Sequence, residues 1–193
     1  MLCRLISFSF FFLPGQKSLI CKGSDRSYDK CKVSFSLRIK EKKITCFFIF
    51  FPFAALCNPP CLLLSNTTNI LAVDYKTSTV NSVVSGLTRA VSIDIHFSLG
   101  YIFWSDVMEQ NIKRFRVDRA STTTIITGIG VCDGLAVDWR TSQLYWTDTT
   151  YNSISVSDLD GKNQTVLIYS DLDEPRAIAL DLDNRYYSIL LPW

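Results

Sequence analysis

The stretch Gln143-Leu144-Tyr145-Trp146-Thr147-Asp148 decides the fold, because the chain already carries a near copy of it, Tyr101-Ile102-Phe103-Trp104-Ser105-Asp106. Trp104 and Trp146 lie 42 residues apart, and Ile70, Ile112 and Ile154 keep the same spacing. Three further segments end in Asp94, Asp138 and Asp181, which are 44 and 43 residues apart. A period of this length predicts a repeated supersecondary unit.

The local signals within each unit are those of β-strands. Short runs rich in aromatic and β-branched residues occupy 101–104, 123–127, 144–147 and 165–168. The pair Asp160-Gly161 predicts a two-residue hairpin with a type I′ turn after 154–159. Four short strands in about 42 residues are typical of a propeller blade.

The repeated motif residues have predicted structural roles. Alternation along a strand places Tyr145 and Thr147 on one face and Trp146 and Asp148 on the other. Since a blade has a neighbour on each side, we expect aromatic side chains to be buried on both faces. Carboxylates at strand ends accept hydrogen bonds from open backbone N–H groups. A metal site or acid–base role is the alternative, but one carboxylate per blade would distribute these groups around a ring.

Charge and cysteine are unevenly distributed along the chain. Residues 1–61 hold 10 Lys and Arg against 3 Asp and Glu, whereas residues 62–193 hold 10 against 15. The acidic body offers no basic stripe for nucleic acid. Six of the seven cysteines precede residue 62, within apolar runs, so a disulfide module there is the less favoured alternative. Cys132 is expected to be a buried apolar side chain.

Residues 1–61 are expected to be a leader outside the fold. Arg4 with the apolar run 5–13, and the basic residues 40–43 with the run 44–56, each resemble a secretory signal. Neither run is long enough to be a membrane-spanning helix. The alternative is that this region is sequence wrongly joined to a genuine coding segment.

The motifs quoted above, together with Asp133-Gly134-Leu135-Ala136-Val137-Asp138 and Leu159-Asp160-Gly161, resemble the class B (YWTD) repeats of the low-density-lipoprotein receptor family. The resemblance implies an all-β fold, a six-bladed β-propeller, over residues 62 to about 185. Three four-stranded blades are expected, at 62–98, 99–141 and 142–184. A YWTD strand is expected to be missing after Arg185. Six blades need about 250 residues, so the ring is expected not to close within this chain, which would make the product prone to aggregation.

The resemblance implies an extracellular protein-binding module of a receptor that serves endocytosis or Wnt-type signalling. The protein is expected at the outer face of the plasma membrane or secreted, with membrane attachment only through segments that this chain does not include. In the pattern of the Wnt co-receptors, Glu109, Asp133 and Arg176 fall on the ligand face. Ordinary solvated loop charges are the alternative for each. Thr67 and Thr88-Arg89 depart from that pattern, so lipoprotein or matrix ligands stay open.

No enzyme activity, cofactor or metal is expected. His96 is the only histidine, and no nucleophile set, metal-spaced cysteines or phosphate loop is recognisable. The alternatives are a secreted matrix propeller of nidogen type and, less favoured, a lactonase-like hydrolase with a central metal. Two sequons, at Asn66 and Asn163, are candidate N-glycosylation sites.

Overall fold

The computed structural model describes residues 34–39, 42–49, 61–74, 77–181 and 186–190. The first signal-like stretch, at 4–13, and four of the cysteines lie outside these residues. The strands are β1 Ser34–Ile39, β2 Lys42–Ile49, β3 Cys61–Ser65, β4 Thr67–Asp74, β5 Thr79–His96, β6 Tyr101–Asp106, β7 Asn111–Arg116, β8 Ser121–Thr127, β9 Gly134–Asp138, β10 Gln143–Asp148, β11 Ser153–Asp158, β12 Thr165–Ile168, β13 Ala177–Asp181 and β14 Tyr186–Leu190. A 3-10 helix, Val117–Arg119, precedes β8.

The predicted fold class is confirmed, because the strands form antiparallel sheets of neighbouring strands. Strands β1 to β8 form one sheet in sequence order, β9 to β12 form a second, and β13 pairs with β14. Strand β5 is 18 residues long and belongs to two units. Its first part pairs with β4 and its last part, from Ala90 onward, pairs with β6. Gly86, with φ +75°, lies between these parts.

Four successive blades follow from this pairing. The first blade is β2, β3, β4 and residues 79–85 of β5; the second is residues 90–96 of β5 with β6, β7 and β8. The third blade is β9 to β12, and the fourth begins with β13 and β14. The first strands of the second, third and fourth blades are neighbours, as in the inner ring of a propeller.

The hydrophobic core lies between the blades. One cluster joins Leu63 and Ile70 of the first blade to Trp104 of the second. The next joins Phe103 of the second blade to Trp146 of the third, and the last joins Ile154 of the third to Ile178 of the fourth. Neighbouring aromatic residues of one strand therefore pack against opposite neighbours, as the alternation along a strand predicts.

The blade limits differ from the expected ranges. The third blade spans residues 134–168, so the expected limit between 141 and 142 falls between β9 and β10, which are hydrogen-bonded neighbours. The expected limit places the YWTD-type strand near the start of its blade. In the structure, the strand before this motif belongs to the same blade. A strand also exists after Arg185: β14 pairs with β13 although it lacks the motif, which corrects the expectation that this strand is missing.

The connection between β11 and β12 does not have the predicted turn. The predicted two-residue hairpin at Asp160-Gly161 is wrong, since residues 159–164 join β11 to β12, and φ is positive at Gly161 and Asn163 but not at Asp160. The backbone here closes a turn from Gly161 N–H to the carbonyl of Asp158, 3.0 Å.

Strands β1 and β2 lie within residues 1–61, and β2 pairs with β3; a leader role for this segment stays a prediction.

Candidate functional site

Antiparallel pairing sends the connections of each blade alternately to two ends. The upper end, as we define it, comprises the links between blades and the turns that follow the YWTD-type strands: residue 66, 86–90, 107–110, 128–133, 149–152 and 169–176. The lower end comprises residues 97–100, 117–120, 139–142 and 159–164. Loops of this kind, held on a rigid scaffold, are where binding residues concentrate.

Asp106 organises the upper end of the second blade. Its fully buried carboxylate accepts hydrogen bonds from the backbone N–H groups of Thr88 and Arg89, both 3.1 Å, and of Met108 and Glu109, both 3.2 Å. The blade link and the turn after β6 are thus tied to one group. Charge-assisted bonds to backbone N–H groups are stronger than neutral ones, so this carboxylate fixes both loops.

Asp148 repeats this arrangement in the third blade. It accepts from the N–H groups of Gly130, Thr150 and Tyr151 at 2.7, 2.9 and 3.1 Å. The link also bonds directly to the turn, since Thr149 N–H donates to the carbonyl of Val131 at 2.9 Å. The motif aspartates therefore set the loop backbone.

The motif hydroxyls join each blade to the next. Ser65 Oγ donates to the carbonyl of Ala90 at 3.1 Å, and Thr147 Oγ1 donates to the carbonyl of Arg176 at 2.6 Å. Ser105 makes the equivalent bond to Cys132, 2.8 Å. Each of these carbonyls lies at the start of a blade, so the motif places the blade links as well as the turns.

Glu109, expected on a ligand face, lies at the upper end in a cluster of its own blade. It accepts from Thr88 Oγ1 at 2.8 Å and Asn111 Nδ2 at 3.1 Å, and it forms an ion pair with Lys113 at 2.6 Å. The hydrogen bond from Lys113, aided by those from Thr88 and Asn111, lowers the pKa of Glu109 to about 2. This side chain is therefore a fixed negative charge at neutral pH.

Asp133 and Arg176, the other two expected residues, are brought together. Asp133 precedes β9 and Arg176 precedes β13, and their side chains form an ion pair across the third and fourth blades. Arg176 also pairs with Glu174 at 2.6 Å. Asp133 first, and then Glu174, raise the pKa of Arg176 above its ordinary value. Arg176 keeps 44% of its side chain exposed, so it remains available to a partner.

A group of exposed apolar side chains that was not predicted from the sequence lies at the same end. Tyr169 is 80% exposed, Tyr151 66%, Met108 62% and Val131 36%. Met108 and Tyr151 follow the motif aspartate by two and three residues. This turn position after each YWTD-type strand was the signal that could have identified them.

The strand-end aspartates of the first strands do not converge on one site. Asp94 is buried and accepts from Val137 N–H of the next blade at 2.8 Å, whereas half-buried Asp138 accepts from Arg140 N–H at 2.8 Å in its own turn. Among the residues that the structure describes, no group of three or more His, Cys, Asp or Glu side chains could hold a metal ion. The same part of the chain contains no helix long and apolar enough to cross a membrane.

Comparison with known proteins gives concordant matches. Residues 142–182 match the model of the low-density lipoprotein receptor repeat class B. Over 132 residues, 66% of the chain, the sequence is 41% identical to low-density lipoprotein receptor-related protein 5 of Mus musculus and 42% identical to that of Homo sapiens. The chain spans 8% of the length of these relatives.

Solved structures share the architecture. A nidogen/laminin complex matches with a TM-score of 0.60 and 25% identity, over 64% of this chain and 50% of that chain. A nutrient-binding protein of Bacteroides thetaiotaomicron, 17% identical, matches with a TM-score of 0.60 over 75% of this chain and 35% of that chain, and shows the fold alone. The chain therefore carries the class B (YWTD) repeats of the low-density-lipoprotein receptor and receptor-related protein family, folded as successive β-propeller blades.

Proposed function

We propose that the upper end is a protein-binding surface of an extracellular receptor-related module. The observation that carries this proposal is the exposure of Met108, Val131 and Tyr151 on loops whose backbone is held by buried carboxylates, with Tyr169 exposed at the same end. Aromatic residues and Met are enriched where proteins bind each other. A preorganised loop also loses less conformational entropy on binding, which favours affinity.

The charged side chains at the upper end would orient a bound protein. Arg176 lies beside Asp133 and Glu174, and Glu109 adds a carboxylate that stays ionised down to low pH. Arg is enriched at interface hot spots together with Tyr, while charges at an interface rim set register and the rate of encounter. The surface thus combines apolar anchors with fixed charges of both signs.

The relatives support a receptor role for this surface, either in ligand uptake or in Wnt-type signalling. The curated relatives are named receptor-related proteins. The likeness to a chain of the nidogen/laminin complex supports the alternative of a secreted matrix propeller, which would use the same kind of surface. Neither function asks these residues to perform chemistry.

A binding assay with matched variants tests the proposal. The full chain is immobilised and exposed to laminin, a secreted Wnt antagonist and lipoprotein particles, and the dissociation constants are measured. We expect saturable binding of at least one, and a loss of about tenfold, roughly 1.4 kcal/mol, for Tyr151→Ala and for Arg176→Glu. Trp139→Ala and Lys162→Glu change the lower end and serve as controls. Equal losses from these controls would contradict the proposal.

A further inference from the structure

The two sequons of the chain, at Asn66 and Asn163, lie at opposite ends of the blades. Asn163 is in the connection 159–164 between β11 and β12, which belongs to the lower end. The four consecutive residues from Lys162 to Thr165 are all exposed. The whole acceptor triplet is therefore at the surface of the folded blade, where a bulky glycan requires no rearrangement of the core.

The contacts of Asn163 are compatible with modification. Its Nδ2 donates to Asp158 Oδ2 at 2.7 Å, and its backbone is left-handed, with φ 52°. A glycosylated Asn keeps one N–H on Nδ2, so a donor to Asp158 is retained. The neighbouring Gln164 donates to the carbonyl of Gly161 at 2.9 Å, which shapes the turn without using the Asn163 side chain.

Asn66 has a different environment. It takes the place of the motif aspartate between β3 and β4, and its Oδ1 accepts from the backbone N–H of Asn69 at 2.8 Å. Its own N–H donates to the carbonyl of Asn69 at 3.1 Å, and Thr67 beside it has φ 79°. The residue is only partly exposed. A glycan here would crowd a tight turn and lie at the upper end.

We infer that Asn163, and not Asn66, carries an N-linked glycan in the folded protein. The inference rests on the proposed extracellular function, because the donor is a lipid-linked oligosaccharide of the secretory pathway. In the reaction, Asn163 Nδ2 bonds to the anomeric carbon of the sugar, the bond from that carbon to the diphosphate oxygen breaks, and one Nδ2 proton is lost as the lipid diphosphate leaves. The glycan then projects from the lower end and leaves the upper end uncovered.

The test expresses the full chain in human cells behind an added signal sequence, with a tag at its carboxyl terminus that contains a control sequon. Mobility is compared before and after peptide-N-glycosidase treatment of the secreted product. We expect Asn163→Gln and Thr165→Ala each to lose one glycan, whereas Thr165→Ser and Asn66→Gln keep it. Retention of every glycan in Asn163→Gln, with the control sequon modified, overturns the inference, as does loss of a glycan in Asn66→Gln.

A second arm separates this inference from the proposed location. The full chain is expressed without the added signal, and the tag sequon is again examined. An unmodified tag in this arm contradicts export of the chain as given, while the result of the first arm still decides between Asn163 and Asn66. The two proposals therefore fail through different measurements.

Discussion

Ser105 Oγ donates a hydrogen bond of 2.8 Å to the carbonyl oxygen of Cys132, which joins the second blade to the start of the third. Thr147 makes the equivalent bond one blade later, to Arg176. The hydroxyl of the third residue of each YWTD-type motif thus donates to a carbonyl at the start of the next blade. A carbonyl at such a boundary has little access to solvent, so its partner matters.

Removing this hydroxyl is expected to destabilise the protein. Ser105→Ala removes this donor and also the acceptor of the Ser92 N–H, 3.1 Å away. Leaving a buried group without its partner costs about 1–3 kcal/mol. Urea unfolding of the full chain, followed by tryptophan fluorescence, measures the change in the free energy of unfolding. Ser121→Ala, at an exposed position of β8, is the matched control. Equal stability of the two variants would show that the bond contributes nothing.

Gly161 is expected to tolerate no side chain. A Cβ atom there would lie 1.9 Å from the carbonyl oxygen of Ile125, in backbone with φ +80°. Gly128 has a similar φ of +74° but open space around it. Gly128→Ala therefore reports the conformational cost alone, about 1–2 kcal/mol, and we expect Gly161→Ala to lower the free energy of unfolding by clearly more. The comparison is made by denaturant unfolding, and similar losses would refute close packing of the third blade on the second.

The ionisation of Glu109 is expected to support stability in acid. Its pKa in the folded chain is lowered from 4.5 to about 2, so its contribution is present above pH 4.5 and is lost as the pH falls from 4.5 to 2. Because the side chain is 36% exposed, solvent screens the contribution to below about 1 kcal/mol. Carbon-detected NMR titration of the Glu109 carboxyl gives the midpoint directly. Lys113→Met removes the largest cause, the hydrogen bond from Lys113, and should move the midpoint upward; an unchanged midpoint would exclude Lys113 as that cause.

The ion pair between Arg176 and Asp133 is expected to couple the third and fourth blades. A double-mutant cycle with Arg176→Ala and Asp133→Asn isolates its energy. We expect a coupling of about 0.5–1 kcal/mol, since Arg176 is substantially exposed. Raising the salt concentration should reduce the coupling only in part, because Asp133 is 10% exposed. If the effects of the two substitutions are additive, the ion pair contributes no coupling energy between the third and fourth blades.

The repeat in the sequence was sufficient to predict the blades, but not the alignment of every position. Spacing along the chain makes Asp94 the equivalent of Asp138. In the structure, however, Asp138 pairs with Gln143, and the residue that pairs with the equivalent Tyr101 is His96. In the turn after His96, Leu99 N–H donates to the His96 ring, just as Arg140 N–H donates to the Asp138 carboxylate in the turn after Asp138. Register depends on the partner strand, which spacing along one chain does not contain.

The candidate surface was predictable only in part. Glu109, Asp133 and Arg176 were placed at the upper end by resemblance, but contact between Asp133 and Arg176 follows from the stacking of two blades. Exposure of Tyr151 and Tyr169 could not be read from residue type, since other aromatic side chains of the repeat, such as Trp104, are fully buried. The hairpin predicted at Gly161 is wrong, and the sequence does not reveal that this residue packs closely against β8 of the neighbouring blade.

Two of the three blade boundaries differ in how the main chain crosses them. From the first blade to the second the crossing lies within β5, where Ala90 pairs with both β4 and β6 and the N–H groups of Thr88 and Arg89 donate to Asp106. From the second to the third it is residues 128–133, outside any strand. Its N–H groups donate to Asp148 and Thr150, and its Val131 carbonyl accepts from Thr149. A protease needs an extended segment released from its partners, so of these two crossings we expect 128–133 to be cleaved while 86–90 stays intact. The first two blades would then survive as one piece, which makes them the natural minimal unit for dissecting the protein.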